Sequence, residues 1–357
     1  MSSCLIRVTV AVTGRAQNSQ VTTEVTPRTH SSPLPGLLAS FAAACLAVAV
    51  GVWLSTLSPL LVAILLGVLW RNLAGQPPSW GPGVAVAGKR VLRIGIVLLG
   101  FQVSLVEVLG LGPWTLLLVV AAVGVTFCSA VWLGKVLGIP AAQRTLVAAG
   151  FSICGAAAVV AVEPVTDADE NDTATAVALV VVFGTLMIPL LPLAVAALGL
   201  SAEAGGIWVG ASTHEVAQVV AAAGLIRPEA MPVAVTIKLA RVLCLAPMVA
   251  LLALARRRAA SGAAADCTKL PPIVPLFIAG FVAVMLVRTT GLVPGGVLDV
   301  IGLLQKLLLS AAMFALGLGV HVRSMLKVGG RPFLLAAAAT AIIGSIGLAG
   351  ALLLNPA

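Results

Sequence analysis

The sequence predicts an all-α polytopic membrane protein of about eleven transmembrane helices, with inverted five-helix repeats and discontinuous helices. Three observations carry that expectation. The first is composition: of 357 residues, 60% are hydrophobic and 9% charged, where a soluble domain holds about 25% charged residues. The second is a series of apolar runs near the ~20 residues that a bilayer-crossing helix needs. The third is a pair of runs interrupted alike, Gly150-Phe151-Ser152-Ile153-Cys154-Gly155-Ala156 and Gly210-Ala211-Ser212-Thr213-His214-Glu215-Val216.

Hydropathy places the spans near residues 36–54, 57–70, 86–106, 114–134, 142–163, 173–199, 206–224, 231–255, 272–289, 301–321 and 332–354. They must pack as one transporter domain over 36–357, with repeats over about 57–199 and 206–354. The span at 57–70 is short and reads as a tilted half of a hairpin closed around Ser55 to Pro59. Residues 1–35 are polar, rich in Ser and Thr, and lack the continuous apolar core of a cleaved signal peptide. They are expected to be a disordered cytoplasmic tail.

Charge sets the expected orientation, because cytoplasmic loops collect Lys and Arg. With the amino terminus inside, Arg7, Arg15, Arg28, Arg71, Lys89, Arg90, Lys135, Arg144, Arg256, Arg257, Arg258, Lys269, Arg323, Lys327 and Arg331 fall inside, 15 in all, and only Arg227 and Arg288 outside. The same alternation puts the acidic segment Asp167, Asp169, Glu170, Asp172 outside and the carboxyl terminus outside. Trp53, Trp70, Trp114, Trp132 and Trp208 fall near span ends, as an interfacial aromatic belt would require. The net charge of +9 lies mostly in loops and tail, which suits an anionic leaflet; no aromatic-interleaved basic patch points to nucleic acid.

Lys89-Arg90-Val91-Leu92-Arg93 and Lys238-Leu239-Ala240-Arg241 share a base, two residues and an arginine, in spans five apart. Such spans run in opposite directions, as an inverted five-helix repeat demands. The two interrupted segments fall in spans five and seven, which this scheme makes parallel, so they are not symmetry mates in it.

Ionisable groups at membrane depth are costly and by default functional, at roughly 2.5–3.5 kcal/mol for a central base. Arg93, Lys238, Arg241 and Lys306 lie within spans, against one acid well inside, Glu215. That excess of positive charge calls for something anionic. Broken backbone is tolerated at such depth only where it is buried or lines a watery cavity, and half-helix ends there hold substrates and ions. The candidate substrate-binding residues are therefore Ser152, Cys154, Gly155, Ser212, Thr213, His214, Gln218, Lys238, Arg241 and Arg93. His214 and Glu215 are the candidates for proton coupling. His214-Glu215-x-x-Gln218 has Gln where a zinc helix has its second His, and the six cysteines are scattered singly. No metal, cofactor, catalytic constellation or nucleotide loop is expected.

Several blocks also carry a resemblance. Leu92-Arg93-Ile94-Gly95-Ile96-Val97-Leu98-Leu99-Gly100-Phe101, Ser152-Ile153-Cys154-Gly155-Ala156, Thr213-His214-Glu215-Val216-Ala217-Gln218, Lys238-Leu239-Ala240-Arg241-Val242 and Ala312-Met313-Phe314-Ala315-Leu316-Gly317-Leu318-Gly319 resemble the family labelled putative sulfate exporters, long described as conserved hypothetical membrane proteins. The resemblance spans about 36–354; Ala157 stands where the family's pattern has serine. It implies kinship with cation–proton antiporters and anion transporters, and a core domain moving against a panel domain.

The expected function is secondary transport of a small anion (sulfate, sulfite or a sulfonate), as an inner-membrane exporter. The partners are that anion and the lipid bilayer, with a homodimer as a candidate assembly and no nucleic acid. A cation–proton antiporter is the rival within the same fold, and it would need an acidic pair at the core. A membrane sensor or intramembrane enzyme would need a signalling domain or catalytic group that the sequence lacks.

Overall fold

The computed structural model describes residues 32–53, 59–261, 276–319 and 329–355. Residues 1–31 of the expected tail, the turn around Ser55 and the basic residues Lys269, Arg323 and Lys327 lie outside them, while Leu34 and Pro35, expected in the tail, already belong to the first helix. The described residues form helices and no strands. Six helical stretches are long and apolar enough to cross a membrane. They are α1 (Leu34–Trp53), α6 (Pro113–Val136), α9 (Glu170–Ala197), the tandem α12 (Ala230–Leu243) and α13 (Leu245–Ser261), α15 (Gly295–Leu318) and α16 (Gly330–Leu354). Shorter or interrupted legs are α2 (Pro59–Leu73), α14 (Leu276–Thr289) and the run α3 (Gly81–Val86), a π-turn (Ala87–Val91) and α4 (Leu92–Leu99). A short α5 (Leu105–Gly110) leads into α6.

The two interrupted segments do not cross. The first is α7 (Ala141–Ser152) and α8 (Ala156–Val162); the second is α10 (Ala202–Ser212) and α11 (Val216–Ile226). The tandem α12–α13 runs Ala230–Arg258, 29 residues, or about 43 Å at 1.5 Å per residue. At its start, the Ala230 carbonyl packs against Gly206 of α10. At its far end, Arg256 donates to Asp167 and, at 3.4 Å, to the Pro164 carbonyl, just beyond α8. So α8 finishes at the end of the bundle opposite the start of α10. Gly205, near that start, faces both Val195 at the end of α9 and Ile226 at the end of α11. Hence α10 and α11 begin and finish at one end, and form a hairpin.

The first segment is its counterpart from the opposite end. α16 finishes where Asn355 Nδ2 reaches Ser201 Oγ at 3.4 Å, and starts where Arg331 lies against Gly138, just before α7. Thus α7 starts at the end where α8 finishes. We call this the basic end, since Lys135, Arg144, Arg256 and Arg331 gather there with Lys89, whose ammonium is 3.6 Å from Glu163.

This geometry corrects the expected topology. Spans five and seven are hairpins rather than crossings, and the segment Asp167 to Asp172 shares an end with the Arg256 run instead of facing away from it. Gly36 packs on Gly83 near the basic end, while Asn355 lies at the other. The belt expectation fails at Trp208, which is 7% exposed and donates its indole N–H to the Gly344 carbonyl at 2.9 Å. Trp53, Trp114 and Trp132 are exposed as expected.

Packing divides the helices into two groups. α15 lies along α2, α1 and α4, and α14 along α4; α6, α7, α9, α10, α11, α12 and α16 pack on one another. α2 meets α11, and α15 meets α9, where the groups touch. The legs carrying Arg93 and Arg241 run in opposite directions, because α4 leads from Lys89 at the basic end to Leu105, whose N–H bonds Thr289. Their bases differ in setting, however: Arg90 is on the surface while Lys238 is fully buried.

The hairpins make a direct prediction. In intact cells, cysteines replacing Asp169 and Arg258 should react with an impermeant maleimide from the same side, and cysteines replacing Glu203 and Arg227 from the other. Opposite labelling of the first pair would restore two crossings.

Candidate functional site

Each hairpin breaks where its sequence cannot continue a helix. α7 ends at Ile153 (φ −107°, ψ −88°), and α8 begins after Gly155, whose φ of +76° and ψ of −136° suit glycine alone. α10 ends at Thr213 and α11 starts at Glu215, both extended. A helix end leaves up to four carbonyls without partners, and at membrane depth no water satisfies them.

Two bases on one turn of α12 supply the donors. Lys238 Nζ donates to the carbonyls of Ile153 (2.7 Å), Thr213 (2.8 Å) and His214 (2.6 Å). Arg241 donates from Nε and Nη2 to Ser152 (3.3 and 2.9 Å), from Nη2 to Phe151 (3.4 Å), and from Nη1 to Gly210 (3.2 Å) and Thr213 (2.8 Å). The three protons of the ammonium and the five of the guanidinium are thus all directed at the ends of α7 and α10. Both side chains are 0% exposed. Cations at helix carboxyl ends also meet the negative pole of the macrodipole. The close approach of α10 to α12 depends on Gly210, where a Cβ would stand 2.4 Å from the Ala234 carbonyl.

The tips also meet each other. Glu215 Oε1 accepts the Ala156 N–H at 3.1 Å, bridging the second hairpin to the first. Gln218 Oε1 accepts the Glu215 N–H at 3.0 Å, and Gly184 of α9 leaves room for that amide. His214 Nε2 pairs with Thr340 Oγ1 at 3.1 Å, and its ring lies 4.5 Å from that of Phe151. The hydroxyls of Ser152 and Ser212 donate to the Ala149 and Ile343 carbonyls, both at 3.4 Å. Cys154 is buried beside them as a free thiol.

The structure therefore brings together Ser152, Cys154, Gly155, Ser212, Thr213, His214, Glu215, Gln218, Lys238 and Arg241. Arg93 is not in this cluster; it lies on α4 with its guanidinium 5.5 Å from the Phe277 ring. Lys306 is exposed. The positive charge expected to await an anion is turned toward the chain's own carbonyls, and among the described residues Glu215 forms no ion pair with either base. Sequence reasoning missed Thr340, a lone hydroxyl in the run Ala336–Ile343 that could have been noticed, and the Ala156 amide, which no side chain announces. No group of three or more metal-ligating side chains occurs among the described residues.

The family profile described as conserved hypothetical protein 698 matches residues 35–336. A UPF0324 membrane protein of Corynebacterium glutamicum is 49% identical over 319 residues, 89% of this chain and 92% of that one. The UPF0324 inner membrane protein YeiH of Escherichia coli K12 is 40% identical over 285 residues, 78% of this chain and 81% of that one. A UPF0324 membrane protein of Listeria monocytogenes is 36% identical over 306 residues, covering 85% and 90%. No solved structure matches the chain.

Two outcomes follow from the clamp. Arg241→Gln should lower stability in detergent by about 3–5 kcal/mol, the cost of stripping one partner from a buried charged network. Adding Glu215→Gln should not restore it, because Arg241 bonds carbonyls rather than that carboxylate; rescue by the double variant would reveal a hidden ion pair. Gly155→Ala should cost about 1–3 kcal/mol, the range for a backbone conformation that only glycine adopts readily, and an unchanged melting temperature would contradict the tip geometry.

Proposed function

Since the chain belongs to the family described as conserved hypothetical protein 698, a family of membrane proteins, we propose that it is a secondary transporter of a small anion such as sulfate, sulfite or a sulfonate. One observation carries this reading: two hairpins entering from opposite ends place their broken tips together beside two buried bases. Paired helix breaks at mid-bundle are where secondary transporters hold substrates. The centre is cationic, with Lys238 and Arg241 against the single carboxylate of Glu215, so its field favours an anion over a cation. The antiporter reading would need a second central acid, and none lies there among the described residues.

Lys238 and Arg241 act in this proposal by positioning the tips and supplying positive potential, while Ser152, Cys154, Gly155, Ser212, Thr213, His214 and Gln218 line the contact. His214 and Glu215 are the groups able to carry a proton. The basic end faces the cytoplasm, following the excess of Lys and Arg there; the protein sits in the inner membrane with its amino terminus inside and works as an exporter. No enzymatic step is proposed.

Reconstitution tests the reading. Proteoliposomes containing the purified protein should exchange labelled sulfate, sulfite or taurine faster than empty liposomes, in acidic or neutral buffer. If none of these anions moves while the protein remains folded, the anion-transport assignment falls.

A further inference from the structure

The central charges differ in their access to solvent. Lys238, Arg241 and His214 are each 0% exposed, whereas Glu215 is partly exposed. Its carboxylate lies across the contact between the hairpins, held by the Ala156 N–H at 3.1 Å. The tip of the first hairpin is shaped around it: a Cβ on Gly155 would stand 2.5 Å from Glu215 Cγ and 2.9 Å from Oε1. Beside it in the chain, the Thr213 hydroxyl is fully buried and has no hydrogen-bond partner among the described residues. The two bases cannot turn outward to greet a ligand without abandoning the carbonyls of both tips. The carboxylate can leave without disturbing the clamp, because it is held only by neutral backbone donors, the Ala156 N–H and, in the capping box of α11, the Gln218 N–H.

We propose that Glu215 is a tethered stand-in for the transported anion: its carboxylate fills the place between the tips that a substrate oxyanion takes, and the substrate enters when Glu215 gains a proton and withdraws. This rests on the anion-transport reading above. With Glu215 ionised, one negative charge balances part of the Lys238 and Arg241 field. A proton taken from water onto the Glu215 carboxyl removes that charge, and an arriving oxyanion replaces it. Anion and proton therefore bind together, which makes the protein an anion–proton cotransporter rather than a uniporter. Among titratable groups, Lys238 from α12 and Cys154 from the first hairpin lie within electrostatic reach of Glu215, while Arg241 and His214 bond the tip carbonyls and Thr340 instead. α9 contributes uncharged Val180 and Gly184, and α2, which touches α11, has its only charged residue, Arg71, in its last turn.

The test uses labelled sulfate binding to the purified full chain, with sulfite as a second probe. In the wild type, affinity should rise as pH falls, by up to about tenfold per pH unit for linkage to one proton. A weakly buffered sample should show a proton taken up with each anion bound. Glu215→Gln, which mimics the protonated side chain, should bind the anion tightly with a flat pH profile. If Glu215→Gln keeps the wild-type pH dependence, the coupling belongs to His214 and the proposal is overturned; it is equally overturned if the folded variant loses binding. Should the variant not fold, proton uptake by the wild type decides, and anion binding without it overturns the proposal. Wild-type protein that binds and moves no anion at any pH refutes the transport reading itself, an outcome distinct from transport whose pH dependence ignores Glu215.

Discussion

Everything at the centre depends on two cations, one helical turn apart on α12, holding the carboxyl ends of two half-helices. A break in a membrane helix exposes carbonyls that would each cost several kcal/mol in hydrocarbon. Water could satisfy them only by opening the bundle. Lys238 and Arg241 instead direct eight donor contacts at six carbonyls, those of Gly210, Phe151, Ser152, Ile153, Thr213 and His214. The arrangement works in both directions, since burying two bases without an acid would be as costly as leaving the carbonyls bare. Charge and break stabilise each other, so neither is expected in this fold alone.

The clamp explains why the helical arms can be so short. α7 and α10 have 12 and 11 residues, lengths that are marginal for an isolated helix in water. Their free ends are fixed by α12, and their sides by the α9 and α16 helices that pack against them. Ser201 caps the start of α10 through the Ala204 N–H at 3.1 Å, and Asp169 caps α9 through the Asp172 N–H at 2.7 Å. Local capping sets where α10 begins, Pro140 starts α7 without a side-chain cap, and the buried bases set where both arms stop.

Much of this was legible in the sequence, but not its folding path. The breaks at Ser152–Gly155 and Ser212–Glu215 could be read from small residues in apolar runs, and the buried bases from their hydropathic context. What hydropathy cannot distinguish is a crossing from a return: two arms of 11 residues joined by a short break have the length and polarity of one spanning helix. Counting the hairpins as crossings reverses the segments between them, so that reading sets Asp167 to Asp172 opposite the Arg256 run that they contact. The same correction removes the awkward parallel relation of the breaks, because hairpins from opposite ends meet tip to tip. The partners of the bases were equally hidden, since backbone carbonyls leave no mark in a sequence and an excess of cations reads as a vacancy for an anion.

The distribution of binding strength also says where such a molecule can move. The clamp joins α7, α10 and α12 through buried, charge-assisted hydrogen bonds, each worth about 1.5–3 kcal/mol. Between the two helical groups, by contrast, Lys89 and Glu163 are 3.6 Å apart with the lysine half exposed, and a pair of that kind contributes about 0–1 kcal/mol. Separating α7 from α12 would therefore break several such bonds, whereas the Lys89–Glu163 contact adds little to what holds the two groups together. In the proposed transport, motion exposing the tips would follow the seam where α2 meets α11 and α15 meets α9, carrying the clamp as a rigid unit. Glu215 is the exception inside that unit: its carboxylate bonds only the backbone N–H groups of Ala156 and Gln218, which leaves it the least firmly held charge at the centre.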